Sequence, residues 1–188
     1  MRKFVAPILC AFMMIGFGAT EIGCASAPPP KAKKARRVRK KPVATHFDLV
    51  DNRIKLPGAV VFRTGSDQLD LVSEPVLELV LDYMTAKPQI TLLRIEGHTD
   101  SDGNMGANQV LSEKRALAVA RWLAENGVDC RRLIPVGFGQ TMPILPNDTS
   151  DNKAQNRRVA FVNAAVNGRA IGGRAADGGG RVGGDPCR

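Results

Sequence analysis

Residues 95–117 decide the fold, and they read IEGHTDSDGNMGANQVLSEKRAL. The apolar, β-branched run 90–95 leads into this stretch and predicts a buried strand, because a glycine follows soon after it. From 108 to 126 the apolar residues recur at helical spacing, which predicts an amphipathic helix. Polar residues that include Asp100 therefore crowd the loop between a strand and a helix, and that helix carries Arg115.

This loop and helix predict a binding pocket. In sheets that combine strands with helices, ligands collect at the carboxyl ends of strands, which is where Asp100 stands. A carboxylate can hold an ammonium group, and a guanidinium can hold a carboxylate through two parallel hydrogen bonds. Asp100 and Arg115 together are therefore suited to a zwitterionic ligand.

The rest of the folded segment alternates strands with helices, which predicts one sheet with helices packed against it. A helix is expected to begin at Ser73, whose side chain should cap it, and to end at Lys87. Residues 143–153 are expected to form a long polar loop. The further predicted strands are 53–56, 59–62, 133–136 and 159–166.

Charge is distributed unevenly along the chain. The formal net charge is +9, but eight positive residues lie in the single run 31–41. Segment 42–168 carries 13 basic and 15 acidic residues, a net charge of −2. A folded nucleic-acid-binding domain would present a basic face. The sequence therefore argues against a nucleic-acid partner.

The N-terminus is typical of export. Residues 1–23 combine a positive start with an apolar run too short to span a bilayer, as in a signal peptide. Cys24 follows a small residue and is the predicted lipidation site; Glu21 departs from the usual pattern there. The alternatives are ordinary cleavage near Ala27, which would give a soluble periplasmic protein, and an uncleaved anchor. Residues 24–45 then predict an extended Pro/Ala/Lys/Arg-rich tether.

The tail, residues 168–188, is rich in Gly and Arg and is predicted to be disordered. A disulfide between Cys130 and Cys187 is possible in an oxidising compartment, although a flexible tail argues against it. His98 could join Asp100 and Asp102 in a metal or acid–base site, but a lone His at a strand end is more often structural. With two His and no Cys cluster, no metal site is predicted.

A series of motifs, in order along residues 58–166, resembles the OmpA-like C-terminal domain family, which includes OmpA, Pal and MotB. The resemblance implies an α+β fold of βαβαβ-type order, in which a mixed β-sheet packs against two main helices over residues 46–167. The motifs are Val61-Phe62, Gly65-Ser66, Gly97-His98-Thr99-Asp100, Gly103, Asn108, Leu111-Ser112-Glu113-Lys114-Arg115-Ala116, Gly127-Val128, Gly137-Phe138-Gly139, Pro143 and Asn156-Arg157-Arg158-Val159.

The resemblance also implies a function. It implies non-covalent binding to peptidoglycan, in which Asp100 and Arg115 hold the diaminopimelate of the stem peptide and Asn108 and Arg157 lie near the pocket. With lipid at Cys24, it implies a Pal-type lipoprotein that ties the outer membrane to the cell wall, with no enzymatic activity and no cofactor. The alternatives are a peptidoglycan-acting hydrolase or metalloenzyme, and an envelope scaffold whose basic linker and tail bind other proteins.

Overall fold

The computed structural model describes residues 47–173 and 175–188. Predictions for the signal peptide, for lipidation at Cys24 and for the tether therefore lie outside the described residues. The helices are α1 (Glu74–Ala86), α2 (Met105–Glu125) and α3 (Ser150–Asn156). The strands are β1 (Leu49–Val50), β2 (Arg53–Ile54), β3 (Ile90–His98), β4 (Leu133–Gly139), β5 (Val159–Val166), β6 (Arg169–Ala170) and β7 (Arg181–Val182).

One mixed sheet forms the centre of the domain. Its strand order is β1-β2-β5-β3-β4-β7, with β6 paired to β5. Strand β3 is central because it pairs parallel with β4 and antiparallel with β5. This arrangement confirms the predicted α+β class and places the loop after β3 beside the ends of its neighbours.

The core lies between the sheet and the two long helices. Alternate residues of β3, Leu93 and Ile95, are fully buried against it, as expected when side chains alternate across a strand. Val80 of α1 and Val119 of α2 meet them in the same cluster. Fully burying side chains of this size stabilises a fold by about 1.5–3 kcal/mol each. This packing fixes the face that α2 turns towards the loop after β3.

Several predicted elements have different bounds in the structure. Helix α2 begins three residues early, because the Asn104 side chain accepts hydrogen bonds from the backbone N–H groups of the first turn. Ser73 does not cap α1; its hydroxyl bonds instead to the backbone N–H and C=O of Val61, at 2.8 and 2.9 Å. That contact holds segment 59–62 in place, and the segment makes only a single bridge rather than the predicted strand. The predicted loop 143–153 contains the start of α3.

Residues 168–173 and 175–188 of the C-terminal tail are ordered, so the prediction of disorder was wrong for them. Strand β7 pairs antiparallel with β4 and adds a strand to one edge of the sheet. Gly183 then donates its N–H to the carbonyl of Pro135 at 2.9 Å. The disulfide that the sequence left open joins Cys130 to Cys187 and ties the tail to the domain. We call residues 175–188 the strap. Among the described residues, no helix is long and apolar enough to cross a membrane.

Candidate functional site

A cavity of about 650 Å³ opens at the carboxyl end of β3. Four segments form its walls: the extended segment 59–65, the loop after β3, the first half of α2, and α3 with the residue that follows it. All four predicted binding residues line this cavity. They are Asp100, Asn108, Arg115 and Arg157.

Asp100 is the buried carboxylate of the cavity, with a side chain only 9% exposed. Its Oδ1 accepts the backbone N–H of Asp102 at 3.1 Å. Its Oδ2 accepts a hydrogen bond from Nη1 of Arg157 at 2.5 Å. Because Arg157 is 46% exposed, this ion pair joins a buried anion to a cation at the mouth of the cavity.

Arg115 is the half-buried cation of the cavity. It lies one turn after Leu111 on α2, so both side chains face the same wall. Its Nε–H donates to the carbonyl of Ser66 at 3.0 Å, and its guanidinium lies over the ring of Phe62, 5.0 Å from the centroid. Burial, and next the positive charge of Arg157, hold its pKa below the usual value. Within the described part of the chain, no carboxylate forms an ion pair with Arg115, so its outer guanidinium edge is open to an anion.

Asn108 braces the loop. Its Nδ2 lies 3.3 Å from the carbonyl of Asp100 and 2.8 Å from the carbonyl of Asp102, and 2.9 Å from Oε1 of Gln140. These bonds connect the loop after β3 to α2 and to the end of β4. The structure therefore gives Asn108 a supporting position on the cavity wall, with its amide N–H groups already engaged.

His98 stands apart from this cavity, which argues against the metal or acid–base site weighed for it. Its ring stacks on Phe138 with centroids 5.3 Å apart, and its Nε2 is 3.6 Å from a carboxylate oxygen of Glu96. Burial is the main reason why its pKa is below the usual value. In the ranges 47–173 and 175–188, no group of three or more His, Cys, Asp or Glu residues could hold a metal ion.

Sequence reasoning missed three features of the site. Phe62 supports Arg115, although it was assigned only to a strand. Lys153 pairs with Asp102 at 2.7 Å, which neutralises the second carboxylate of the loop. Thr99 lines the cavity and is buried, and its hydroxyl has no hydrogen-bond partner. Helix α3 was missed as well, because all of its residues except Ala154 are polar and it shows no amphipathic pattern. The Thr149 cap was the available signal.

Comparisons with known proteins find one family model and several relatives that match this chain. A model described as "OmpA family" matches residues 61–157. The chain is 32% identical over 142 residues to the outer-membrane lipoprotein YfiB of Pseudomonas aeruginosa, which covers 74% of this chain and 83% of YfiB. It is 35% identical over 105 residues to the peptidoglycan-binding protein ArfA of Mycobacterium tuberculosis, covering 56% of this chain and 32% of ArfA.

A solved structure extends the likeness to three dimensions. The peptidoglycan-associated lipoprotein from Burkholderia pseudomallei superimposes with a TM-score of 0.51 at 31% identity. The alignment covers 55% of this chain and 87% of that one. Across the curated relatives compared, the chain spans between 13% and 83% of their lengths.

Proposed function

Since the chain belongs to the OmpA family, we propose that its folded domain binds peptidoglycan non-covalently and serves as an envelope anchor rather than an enzyme. Relatives whose names describe peptidoglycan association or binding support this proposal. The single observation that carries it is that Asp100 and Arg115 line the same cavity at the carboxyl end of β3.

The charges of the cavity favour diaminopimelate as the recognised part of the stem peptide. Asp102 is paired with Lys153, so the remaining charged groups are one carboxylate and two guanidiniums. A diaminopimelate side chain ends in an ammonium and a carboxylate on one carbon. Its ammonium would bind Asp100, and its carboxylate would take two hydrogen bonds from Arg115.

The N-terminal sequence supports placement at the outer membrane. Lipid on Cys24 would hold the chain at the membrane, and residues 25–45 would let the domain reach the cell wall. An extended segment of this length spans about 60 Å at roughly 3.1 Å per residue. Intact mass of the mature protein tests this step, because lipidation at Cys24 and cleavage after Ala27 give different N-terminal masses.

Cosedimentation with purified sacculi tests the binding site. Asp100→Ala and Arg115→Ala are expected to weaken binding by about 1–3 kcal/mol each, because each leaves a charged group of the ligand without its partner. Matched controls are Arg121→Ala, on an exposed position of the same helix, and Glu78→Ala, on the exposed face of α1. Both controls should pellet like the parent protein.

Two results would count against the proposal. One is unchanged pelleting of both site variants alongside intact folding by circular dichroism. The other is release of soluble muropeptides from the sacculi, which would indicate cleavage of the polymer rather than anchoring.

A further inference from the structure

We propose that Arg157 is a specificity-determining residue: it holds Asp100 as an internal substitute for the ligand's ammonium, and only a ligand that also brings a carboxylate displaces it efficiently. This inference rests on the proposed function and concerns the same cavity. The observation behind it is the 2.5 Å contact between Nη1 of Arg157 and Oδ2 of Asp100. The carboxylate that should receive the ligand is therefore already paired in the free protein.

The burial of the two partners shows which one must move. The side chain of Asp100 is 9% exposed and is also fixed by the backbone N–H of Asp102. Arg157 follows α3 at its C-terminal end, and its side chain is 46% exposed. A half-exposed guanidinium can turn towards solvent at small cost, whereas a buried carboxylate left alone is costly. The exchange therefore proceeds by movement of Arg157 while Asp100 stays in place.

An ammonium group alone is a poor ligand for this cavity. It would meet one negative charge, Asp100, and two positive charges, Arg115 and Arg157. The other nearby carboxylate, Asp102, is occupied by Lys153 at 2.7 Å. An ammonium that binds Asp100 would therefore leave Arg157 without an anionic partner and close to the positive charge of Arg115. Like charges at this range repel each other, most strongly where burial reduces the screening by water.

A carboxylate on the same ligand changes this balance. Arg115 donates hydrogen bonds to the ligand's carboxylate, and the released Arg157 can donate to one of the same carboxylate oxygens from the mouth of the cavity. The broken Arg157–Asp100 pair is then replaced by three ion pairs: the ligand's ammonium with Asp100, and its carboxylate with Arg115 and with Arg157. Diaminopimelate provides both groups on one carbon, whereas lysine at the same stem position provides only the ammonium. The cavity should therefore reject lysine-type stems because of Arg157, and not only because one contact to Arg115 is missing.

Isothermal titration calorimetry with two stem tripeptides tests this inference on the full mature chain. The peptides differ only in diaminopimelate or lysine at the third position. The parent protein should prefer the diaminopimelate peptide by roughly tenfold or more, the size of one charge-assisted contact. In Arg157→Gln the preference should shrink to about threefold or less, chiefly because the lysine peptide binds more tightly. Arg157→Lys keeps the charge and should keep the preference.

Matched variants separate the possible outcomes. Arg121→Gln removes a positive charge from α2 outside the cavity and should leave the preference unchanged. Circular dichroism and thermal melting establish that each variant is folded. An Arg157→Gln protein with the parent's preference, or one in which the lysine peptide binds more weakly, overturns the role of Arg157 alone. A folded parent protein that binds neither peptide overturns the proposed function itself.

Discussion

Replacing both cysteines of the disulfide that holds the strap, as Cys130→Ser with Cys187→Ser, should destabilise the domain substantially. The disulfide joins residues that are 57 positions apart. In the chain-entropy treatment, a cross-link across a loop of this length removes about 14 cal/mol/K from the unfolded chain. At 25 °C this corresponds to about 4 kcal/mol of stability, which is a large share of the 5–15 kcal/mol typical of folded proteins.

Urea denaturation followed by fluorescence of Trp122, the single tryptophan, measures this loss. The oxidised parent and the double Ser variant should differ by about 4 kcal/mol in free energy of unfolding. Reductant should bring the parent down to the variant's value and leave the variant unchanged, which controls for the substitutions themselves. A difference under about 1 kcal/mol, with the cysteines shown to be paired in the parent, would refute the reasoning. Rapid hydrogen exchange at Gly183 in the oxidised parent would also contradict the strap's bond to β4.

Three further predictions concern the core and its titration. Burial raises the pKa of Tyr83, so its contribution to stability is complete below about pH 10 and is lost as the pH rises through the folded-state value; urea melts across that range should show this loss. Burial lowers the pKa of His98. Burial acts to raise the pKa of Glu96, but its interactions with His98 and Arg94 outweigh burial, so the pKa of Glu96 is also below its usual value. Stability should thus fall as the pH drops below about 6.5 and fall further below about 4.5, and pH-independent stability across that range would contradict both assignments. Gly97→Ala should lower the free energy of unfolding by about 1–3 kcal/mol, because a Cβ there would lie 2.2 Å from a backbone oxygen of α2. A thermal melting curve like that of the parent protein would disprove that close contact.

Local patterns predicted the elements that carry their own periodicity. Strand β5 was expected at 159–166 and is observed at Val159–Val166. Helix α1 was expected after Ser73 and begins at Glu74. In both, the apolar residues that define the pattern also form the core, so local signal and tertiary packing agree. Helix α3 lacks such a pattern, because it is short and polar and is held by the Thr149 cap rather than by an apolar face.

The strap shows why composition misled the prediction for the tail. Glycine-rich sequence usually signals flexibility, but here glycine permits close approach to the sheet and helix. A Cβ at Gly180 would lie 2.4 Å from Cγ1 of Val136, and one at Gly183 would lie 2.5 Å from the carbonyl oxygen of Glu113. Such contacts join residues more than 40 positions apart, and no window of local sequence reports them. The order of the strap therefore arises from tertiary contacts and the disulfide.

In the site as well, the sequence indicated which residues are present but not which of them pair with one another. Sequence motifs identified Asp100, Arg115 and Arg157, and the structure brings the three to one cavity. The motifs did not indicate that Asp100 would be paired with Arg157 rather than left open beside Arg115. That pairing depends on α3, the element that periodicity could not detect, because α3 delivers Arg157 to the cavity mouth. A two-residue description of the site predicts that any suitable zwitterion or ammonium would find Asp100 free. Because Arg157 already pairs with Asp100, binding becomes an exchange of ion partners. A ligand that offers Arg157 no new anionic partner binds more weakly, by the free energy of the lost Arg157–Asp100 pair.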